Sequence, residues 1–336
     1  MNNHLPHVSV LMAAYNVEKY IGEAIDSILS QTFTDFEFII LNDGSKDNTK
    51  EIIQSYRDTR IQFIDLVTNS GLSNALNKGL EVARGEYIAR MDADDISLPT
   101  RLTTQVNYLD SHNDVGVLGT AYYIFDQNGN QNSVMLPATW SLLRWTLPFA
   151  SPIAHATVMF KKSLLSQTYN YDPRMMHAED YDLWVRLSYI TKMQNLPQIE
   201  YRVRKHGGNV SSVYAMEQLK NSINISRQEI IRALGREVPV QYVERLWVGN
   251  YANSKELGEV TKLINELLRV YTSKNALCEN DKTAIRRDAA KRLFLLARAQ
   301  AQLPASRLTL FHALWLDPSL LTLVGAGLRR RINTLR

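Results

Sequence analysis

The stretch Gly85-Glu86-Tyr87-Ile88-Ala89-Arg90-Met91-Asp92-Ala93-Asp94-Asp95 decides how this chain is read. Residues 87–91 have the texture of a short buried strand, and that strand delivers three carboxylates to one tip. A hard cation such as Mg²⁺ or Mn²⁺ takes oxygen ligands, commonly one or two protein carboxylates with substrate phosphates supplying the rest. In an extended segment side chains two apart point the same way, so Asp92 and Asp94 are expected to converge while Asp95 turns aside. The same residues also fit a plainer role at a helix start, with Ser97-Leu98-Pro99 opening a helix that runs to about residue 111.

Working outward, residues 8–13 read as a buried strand. Residues 17–29 carry apolar side chains at Tyr20, Ile21, Ala24, Ile25 and Ile28, which is helical spacing. A second strand over 36–41 ends at Asn42-Asp43-Gly44-Ser45, and a helix over 47–56 follows with Asp47 as its cap. The pattern repeats with a strand at 61–64 and a helix at 71–83. Strands alternating with helices imply a parallel sheet flanked by helices on both faces. Ligands of such sheets bind beyond the carboxyl ends of the strands. Ala14-Tyr15-Asn16, Asn42-Asp43-Gly44-Ser45, Asn69-Ser70-Gly71 and Asp92-Ala93-Asp94 all fall at that edge.

After Arg101 the alternation stops. Strands are expected at 115–125, 157–160 and 199–204, with helices at 140–147 and 179–189. Beyond residue 213 the sequence is helical, in rough segments 216–234, 240–257, 260–271 and 282–303. This divides the chain into a sheet-bearing domain, 1–215, and a helical region, 216–336.

The 336 residues suffice for a full core, and a single cysteine, Cys278, excludes an internal disulfide and fits a reducing cytosol. The N-terminus has no basic segment followed by an apolar one, so it does not read as a signal peptide, and catalysis is expected on the cytoplasmic side. A net charge of +4, with no basic stripe, argues against nucleic acid as a partner. The charge that exists gathers at Arg329-Arg330-Arg331 and Arg336. Residues 308–327 are apolar but broken by Asp317-Pro318, and neither half reaches the roughly 20 residues that span a bilayer. Residues 320–328 and the basic tail suit peripheral contact with an anionic membrane; a packed helical hairpin with a solvated basic end is the other reading.

With these motifs in place, residues 7–210 resemble a family 2 glycosyltransferase of the GT-A fold, of the bacterial surface-polysaccharide type. The resemblance rests on Val8-Ser9-Val10-Leu11-Met12-Ala13-Ala14-Tyr15-Asn16, on Ile39-Ile40-Leu41-Asn42-Asp43-Gly44-Ser45-Lys46-Asp47-Asn48-Thr49, on Asn69-Ser70-Gly71, on Asp92-Ala93-Asp94-Asp95 and on Glu179-Asp180-Tyr181-Asp182-Leu183-Trp184. It implies that Asp43 accepts a hydrogen bond from the donor's base, and the backbone of Ala13, Ala14 and Tyr15 frames the ring. A uracil edge, with an N–H between two carbonyls, matches such a set. Asp92 would lie near the ribose or the metal, and Asp94 would ligate a Mn²⁺ or Mg²⁺ that bridges the diphosphate of a UDP-sugar. Gly71 serves either a tight helix start or the close approach of a phosphate. Where the family often carries an arginine before Asn77, this chain has Leu76, so that phosphate contact falls to Lys78, to Arg84 or to neither.

The same resemblance makes Asp180 the base that deprotonates the acceptor hydroxyl, with Glu179 orienting the acceptor and inversion at the anomeric carbon. In the first turn of a helix Asp180 is kept ionised by the N-terminal dipole unless burial offsets it. His155 either lines the site or is a satisfied structural residue. Residues 201–211, with His206 counted among the donor-binding residues and Gly207-Gly208 as a hinge, resemble the segment that closes over the diphosphate. Trp140, Trp145 and Trp184 read as core. The acceptor implied is a growing O-antigen, capsule or exopolysaccharide, lipid-linked or free. Two other readings stand beside this one: a nucleotidyltransferase on a similar sheet, and a non-catalytic nucleotide-sugar-binding module.

Overall fold

The computed structural model describes residues 5–165, 170–207, 213–249, 253–274 and 277–322. Strands β1 (Val8–Ala14), β2 (Phe36–Asp43), β3 (Ile61–Leu66) and β4 (Tyr87–Asp92) alternate with helices α1 (Ile21–Leu29), α2 (Thr49–Ser55) and α3 (Leu72–Val82). All pairings within this group are parallel, in the order β3-β2-β1-β4. Because the chain winds outward from β1 to β3 and then returns to the other side of β1, the winding reverses between β1 and β4. That reversal opens the crevice in which such sheets bind ligands.

Both faces of β1 are covered. Val8, Val10 and Met12 sit in one core with Ile21, Ala24, Ile25 and Ile28 of α1, while Leu11 and Leu41 meet α3 at Gly79, where a Cβ would come within 2.2 Å of Leu11. Removing any of these aliphatic side chains from water contributes about 1.5–3 kcal/mol, which is what the uninterrupted apolar strands reflect.

The second half of the sheet is mixed rather than parallel. Strand β5 (Ile96–Ser97), helix α4 (Arg101–Ser111), strands β6 (Val115–Asp126) and β7 (Gln131–Val134), helix α5 (Trp140–Thr146), strand β8 (Met159–Lys161), helix α6 (Glu179–Leu187) and strand β9 (Lys192–Lys205) follow. The path continues β4-β8-β6-β9-β5, antiparallel except for β6 with β9.

Residues 96–97 pair with β9 instead of starting a helix, and α4 begins at Arg101. The first helix begins at Ile21, not at 17, because the amides of Asn16, Val17 and Glu18 are taken by Ser45 Oγ, Thr49 Oγ1 and Asp47 Oδ2. Asp47 thus ties two loops together, and Asn48 holds the cap position of α2. The strand expected at 199–204 extends over fourteen residues.

The chain forms two compact units. One comprises residues 1–143 and 151–221, and the other residues 144–150 and 222–336. The second unit packs α8 (Val240–Val248), α9 (Ser254–Lys274), α10 (Glu279–Ala299) and α11 (Ala305–Leu316), after α7 (Ala215–Leu234), which starts in the first unit. Its core includes Leu257, Val260, Ile264, Leu267, Ile285, Ala289, Leu293 and Ala313. The single helix expected over 240–257 is broken at Gly249, whose φ of 68° ends α8 in the left-handed region. Among the described residues no helix is long and apolar enough to cross a membrane. Residues 323–336, with the basic tail, lie outside the described residues.

Candidate active site

The ends of β1, β2 and β4 meet where the winding reverses, with Ala13 opposite Asp92 and Ala14 opposite Asn42. Ala14 is buried and Tyr15 exposed, and Asn16 adopts a left-handed φ of 51° while its Oδ1 accepts from the Lys46 amide at 2.8 Å. Asp43 is buried. Its Oδ1 accepts from the amide and hydroxyl of Ser70, both at 2.8 Å, and its Oδ2 from the Gly71 amide at 2.9 Å. A carboxylate has about four acceptor sites, so Asp43 holds the loop before α3 and, among the described residues, keeps one site on Oδ2. Gly71, with φ 85°, takes the position before α3, and a Cβ there would meet no atom within 4 Å.

Gly44 is more constrained. At φ 71° its added Cβ would fall 2.6 Å from the Asn69 nitrogen and 2.7 Å from the Thr68 carbonyl carbon. Backbone on both sides cannot yield cheaply, so Gly44→Ala is expected to cost about 1–3 kcal/mol. Chemical denaturation of the variant checks this value; an unchanged midpoint would refute it.

The acidic tip differs from the expected extended arrangement. The strand ends at Asp92 and residues 93–94 form a turn, so the two carboxylates engage separate partners. Asp92 pairs with Arg90 on the same face of β4, and its amide donates to Tyr201 Oη at 3.1 Å. Asp94 Oδ2 lies 2.8 Å from His206 Nε2. Asp95 has a partner of its own: it packs inward, accepting from the Arg204 amide at 2.7 Å. Burial and the neighbouring Asp92 raise the pKa of Asp94; burial, then Asp92 and Asp94, raise that of Asp95 further. Burial is thus the main cause that disfavours ionisation of these two carboxyls, with charge repulsion second.

Glu179 and Asp180 open α6. Burial pushes the Asp180 carboxyl up to about 7, with the Glu179 charge as the next cause. Burial likewise raises Glu179. The helix dipole anticipated to keep Asp180 ionised is outweighed. Arg90 opposes these shifts, lowering both carboxyls, and it also depresses His155, whose pKa falls well below the usual range mainly through burial. His155 Nε2 and Tyr171 Oη lie 2.8 Å apart, and Tyr171 is clamped by Asn77 through its own amide and carbonyl. His155 is thus a neutral residue whose ring nitrogen is hydrogen-bonded to Tyr171.

Some candidates do not enter the site. Leu76 is fully buried in the core, and Arg84 binds Glu37 at 2.8 Å. Asp182 pairs with Arg186, and Trp145 and Trp184 are core. Of the segment proposed to close over the donor, residues 201–205 belong to β9 with Tyr201 buried, and Gly208 to Ser211 lie outside the described residues.

Sequence reading missed Arg90, Tyr171 and Tyr214. Arg90 is buried, and among the described residues its Nε and Nη1 have no hydrogen-bond partner. A charged residue inside an otherwise apolar strand, two places before an aspartate, was the available signal. Tyr214 stacks on His177 with ring centres 4.3 Å apart, and His177 has a left-handed φ of 62° three residues before Asp180. Nothing local in the sequence marks that pairing.

The pattern described as Glycosyl transferase family 2 matches residues 9–174. The O-antigen biosynthesis glycosyltransferase WbnJ of Escherichia coli is 37% identical over 186 residues, covering 54% of this chain and 72% of WbnJ. Among solved structures, S. aureus TarS 1-349 in complex with UDP-GlcNAc superposes with a TM-score of 0.56 at 20% identity, covering 94% of this chain and 91% of that one. The mannosyltransferase PcManGT from Pyrobaculum calidifontis, in complex with GDP-Man and Mn²⁺, gives a TM-score of 0.52 at 16% identity over 93% of this chain and 86% of its own. These two likenesses establish the GT-A fold, and WbnJ, more than two thirds covered at well over 30% identity, establishes kinship in sequence. The chain therefore belongs to glycosyltransferase family 2.

Proposed function

We propose that this glycosyltransferase moves one sugar, with inversion, from a nucleoside diphosphate donor to a hydroxyl of a growing surface glycan, and that it requires a divalent cation. The observation that carries this reading is Arg90, whose buried guanidinium pairs with Asp92 at the strand end and acts on the charge of Asp180. Donor-side and acceptor-side carboxylates therefore share one electrostatic centre. A UDP-sugar is the favoured donor, since TarS is solved with UDP-GlcNAc, and the O-antigen role of WbnJ points to a polysaccharide acceptor.

Asp180, poised near neutrality, takes the proton of the acceptor hydroxyl as it attacks the anomeric carbon. Glu179 orients that hydroxyl. The free acceptor site on Asp43 Oδ2 takes the base N–H, against the backbone of Ala13 to Tyr15. Asp94 and His206 offer a carboxylate oxygen and an imidazole nitrogen 2.8 Å apart, a donor pair that fits Mn²⁺ better than Mg²⁺. Asp92 serves the ribose or the ion. When bound, the cation supplies Lewis-acid stabilisation of the departing diphosphate.

The test is calorimetric titration of the protein with UDP, GDP, dTDP and CMP, each with and without Mn²⁺, alongside Asp94→Ala. Mn²⁺-dependent binding of one diphosphate, abolished in the variant, is the expected result. Absence of binding under every condition would overturn the reading. On the acceptor side, the half-exposed Tyr214 beside His177 is expected to support a sugar ring. Tyr214→Ala should raise the acceptor KM about three- to tenfold with kcat nearly unchanged, as loss of one aromatic contact implies. Initial rates over a range of acceptor concentrations measure this.

A further inference from the structure

Helix α11 is amphipathic in the inverse sense. Its inward side carries Ser306, Thr309 and Ala313, all buried, with Thr309 Oγ1 bonded to Thr261 Oγ1 of α9 at 2.9 Å. Its outward side carries Leu308, Phe311 and Trp315, which are 60%, 63% and 74% exposed. At 100° per residue these three fall within about 60° of one another, on the side opposite the buried residues. A large apolar face turned to solvent, with small and polar side chains turned to the core, is the reverse of what stabilises a surface helix and marks an interaction surface.

The neighbouring helix identifies the occupant. On α10, Arg287, Lys291, Leu295 and Arg298 recur at helical spacing and are exposed. Asp317, at the end of α11, is held below its usual range by Ser319 and also by Arg287 and Lys291, which places those two cations near the Trp315 end of the apolar stripe. Asp288, the acidic residue beside this row, is engaged with Trp145 Nε1 and Arg292 at 2.6 Å each. Leucine, phenylalanine and tryptophan with a row of exposed Arg and Lys alongside, of which Asp317 can offset only one charge, are what a bilayer interface rich in anionic headgroups takes up: the rings enter the headgroup and acyl boundary while the cations remain with the phosphates. A purely apolar partner surface, such as the same stripe on a second copy, would leave the row of cations without a role.

We propose that the outward face of α11, with the basic row of α10, is a docking surface for an anionic lipid bilayer. This inference does not rest on the transferase reading, because it concerns residues of the second unit only. It also differs from the tail contact expected from sequence, since Arg329-Arg330-Arg331 takes no part in it.

The experiment is cosedimentation of the full chain with phosphatidylcholine vesicles, with and without about 30 mol% phosphatidylglycerol, at low and high salt. The expected result is binding to the anionic vesicles at least about tenfold stronger than to the neutral ones, weakened by salt. The triple variant Leu308→Ser, Phe311→Ser, Trp315→Ser should lose most of that binding with an unchanged melting curve, and Trp315→Ser alone should lose part of it. Arg329→Ser, Arg330→Ser, Arg331→Ser should retain it. Three outcomes would overturn the proposal: no binding of the wild type to anionic vesicles, binding carried by the tail and indifferent to the triple variant, or a dimer in light scattering that the triple variant converts to monomer. The last would assign the face to a second copy of the chain.

Discussion

Asp180→Asn is expected to lower turnover by a factor of about 10²–10⁴ while nucleotide binding stays within threefold of the wild type, about the loss that removal of a general base produces. The substitution keeps the shape of the side chain and removes only its capacity to accept a proton. It should not destabilise the protein. Burial disfavours the charged form of Asp180, and Glu179 adds repulsion, so the neutral amide relieves both. Activity of the wild type carries the same signature in pH. The base works only when deprotonated, and its pKa stands at about 7, so kcat/KM should fall roughly tenfold per unit of pH below that value. In Glu179→Gln one source of repulsion is gone and the limb should move to lower pH. A variant Asp180→Asn that retains near wild-type turnover, or an acid limb near pH 4, would remove Asp180 from the role.

Arg90→Met should have the largest effect on stability of any single change near the site. A guanidinium enclosed by protein is tolerable only while it is paired, and taking away one partner of a buried ion pair typically costs about 3–5 kcal/mol. Here the residue left behind is Asp92, whose side chain keeps 36% of its surface in solvent and can hydrate, so the loss should lie toward the lower end of that range. Activity should respond independently of folding. Arg90 lowers the pKa of both Glu179 and Asp180, so its removal shifts the acid limb to higher pH, opposite to Glu179→Gln. Arg90→Lys keeps the charge and should recover much of the limb's position even if the stability is only partly restored, because an ammonium cannot reproduce the planar fork. Denaturant melts combined with pH–rate profiles separate the two effects. If Arg90→Met were as stable as the wild type and its pH profile unmoved, the guanidinium would not be the counter-charge of this site.

How much of this was legible beforehand depended on how local each cause is. The four parallel strands, their helices and the polar clusters at their ends follow from apolar periodicity and from turn residues such as Asn42-Asp43-Gly44-Ser45, which act over a few neighbours. The family motifs are equally short, and they made Asp43, Asp94 and Asp180 candidates from sequence alone. The antiparallel half was poorly legible. Ser97 became a strand residue only because β9 passes beside it, and the length of β9 is set by β6 rather than by its own composition.

The chemistry of the site was decided by contacts that are distant in sequence. Whether Asp180 is charged depends on a contest between a helix dipole, readable from position, and burial, which exists only once distant parts of the chain have folded around it. Arg90 looked like an interruption of an apolar strand until folding placed it among carboxylates from two parts of the chain. Likewise, Leu308, Phe311 and Trp315 are apolar in any reading, but only packing could show that α11 turns Thr309 and Ala313 inward and leaves them outside. The sequence by itself determined the alternation of elements and the residue types at the strand ends, since those depend on side-chain period and turn propensity. Protonation, ion pairing and the choice of which helix face meets solvent were left to the tertiary structure, because Coulomb energy and desolvation depend on distances that no local pattern specifies.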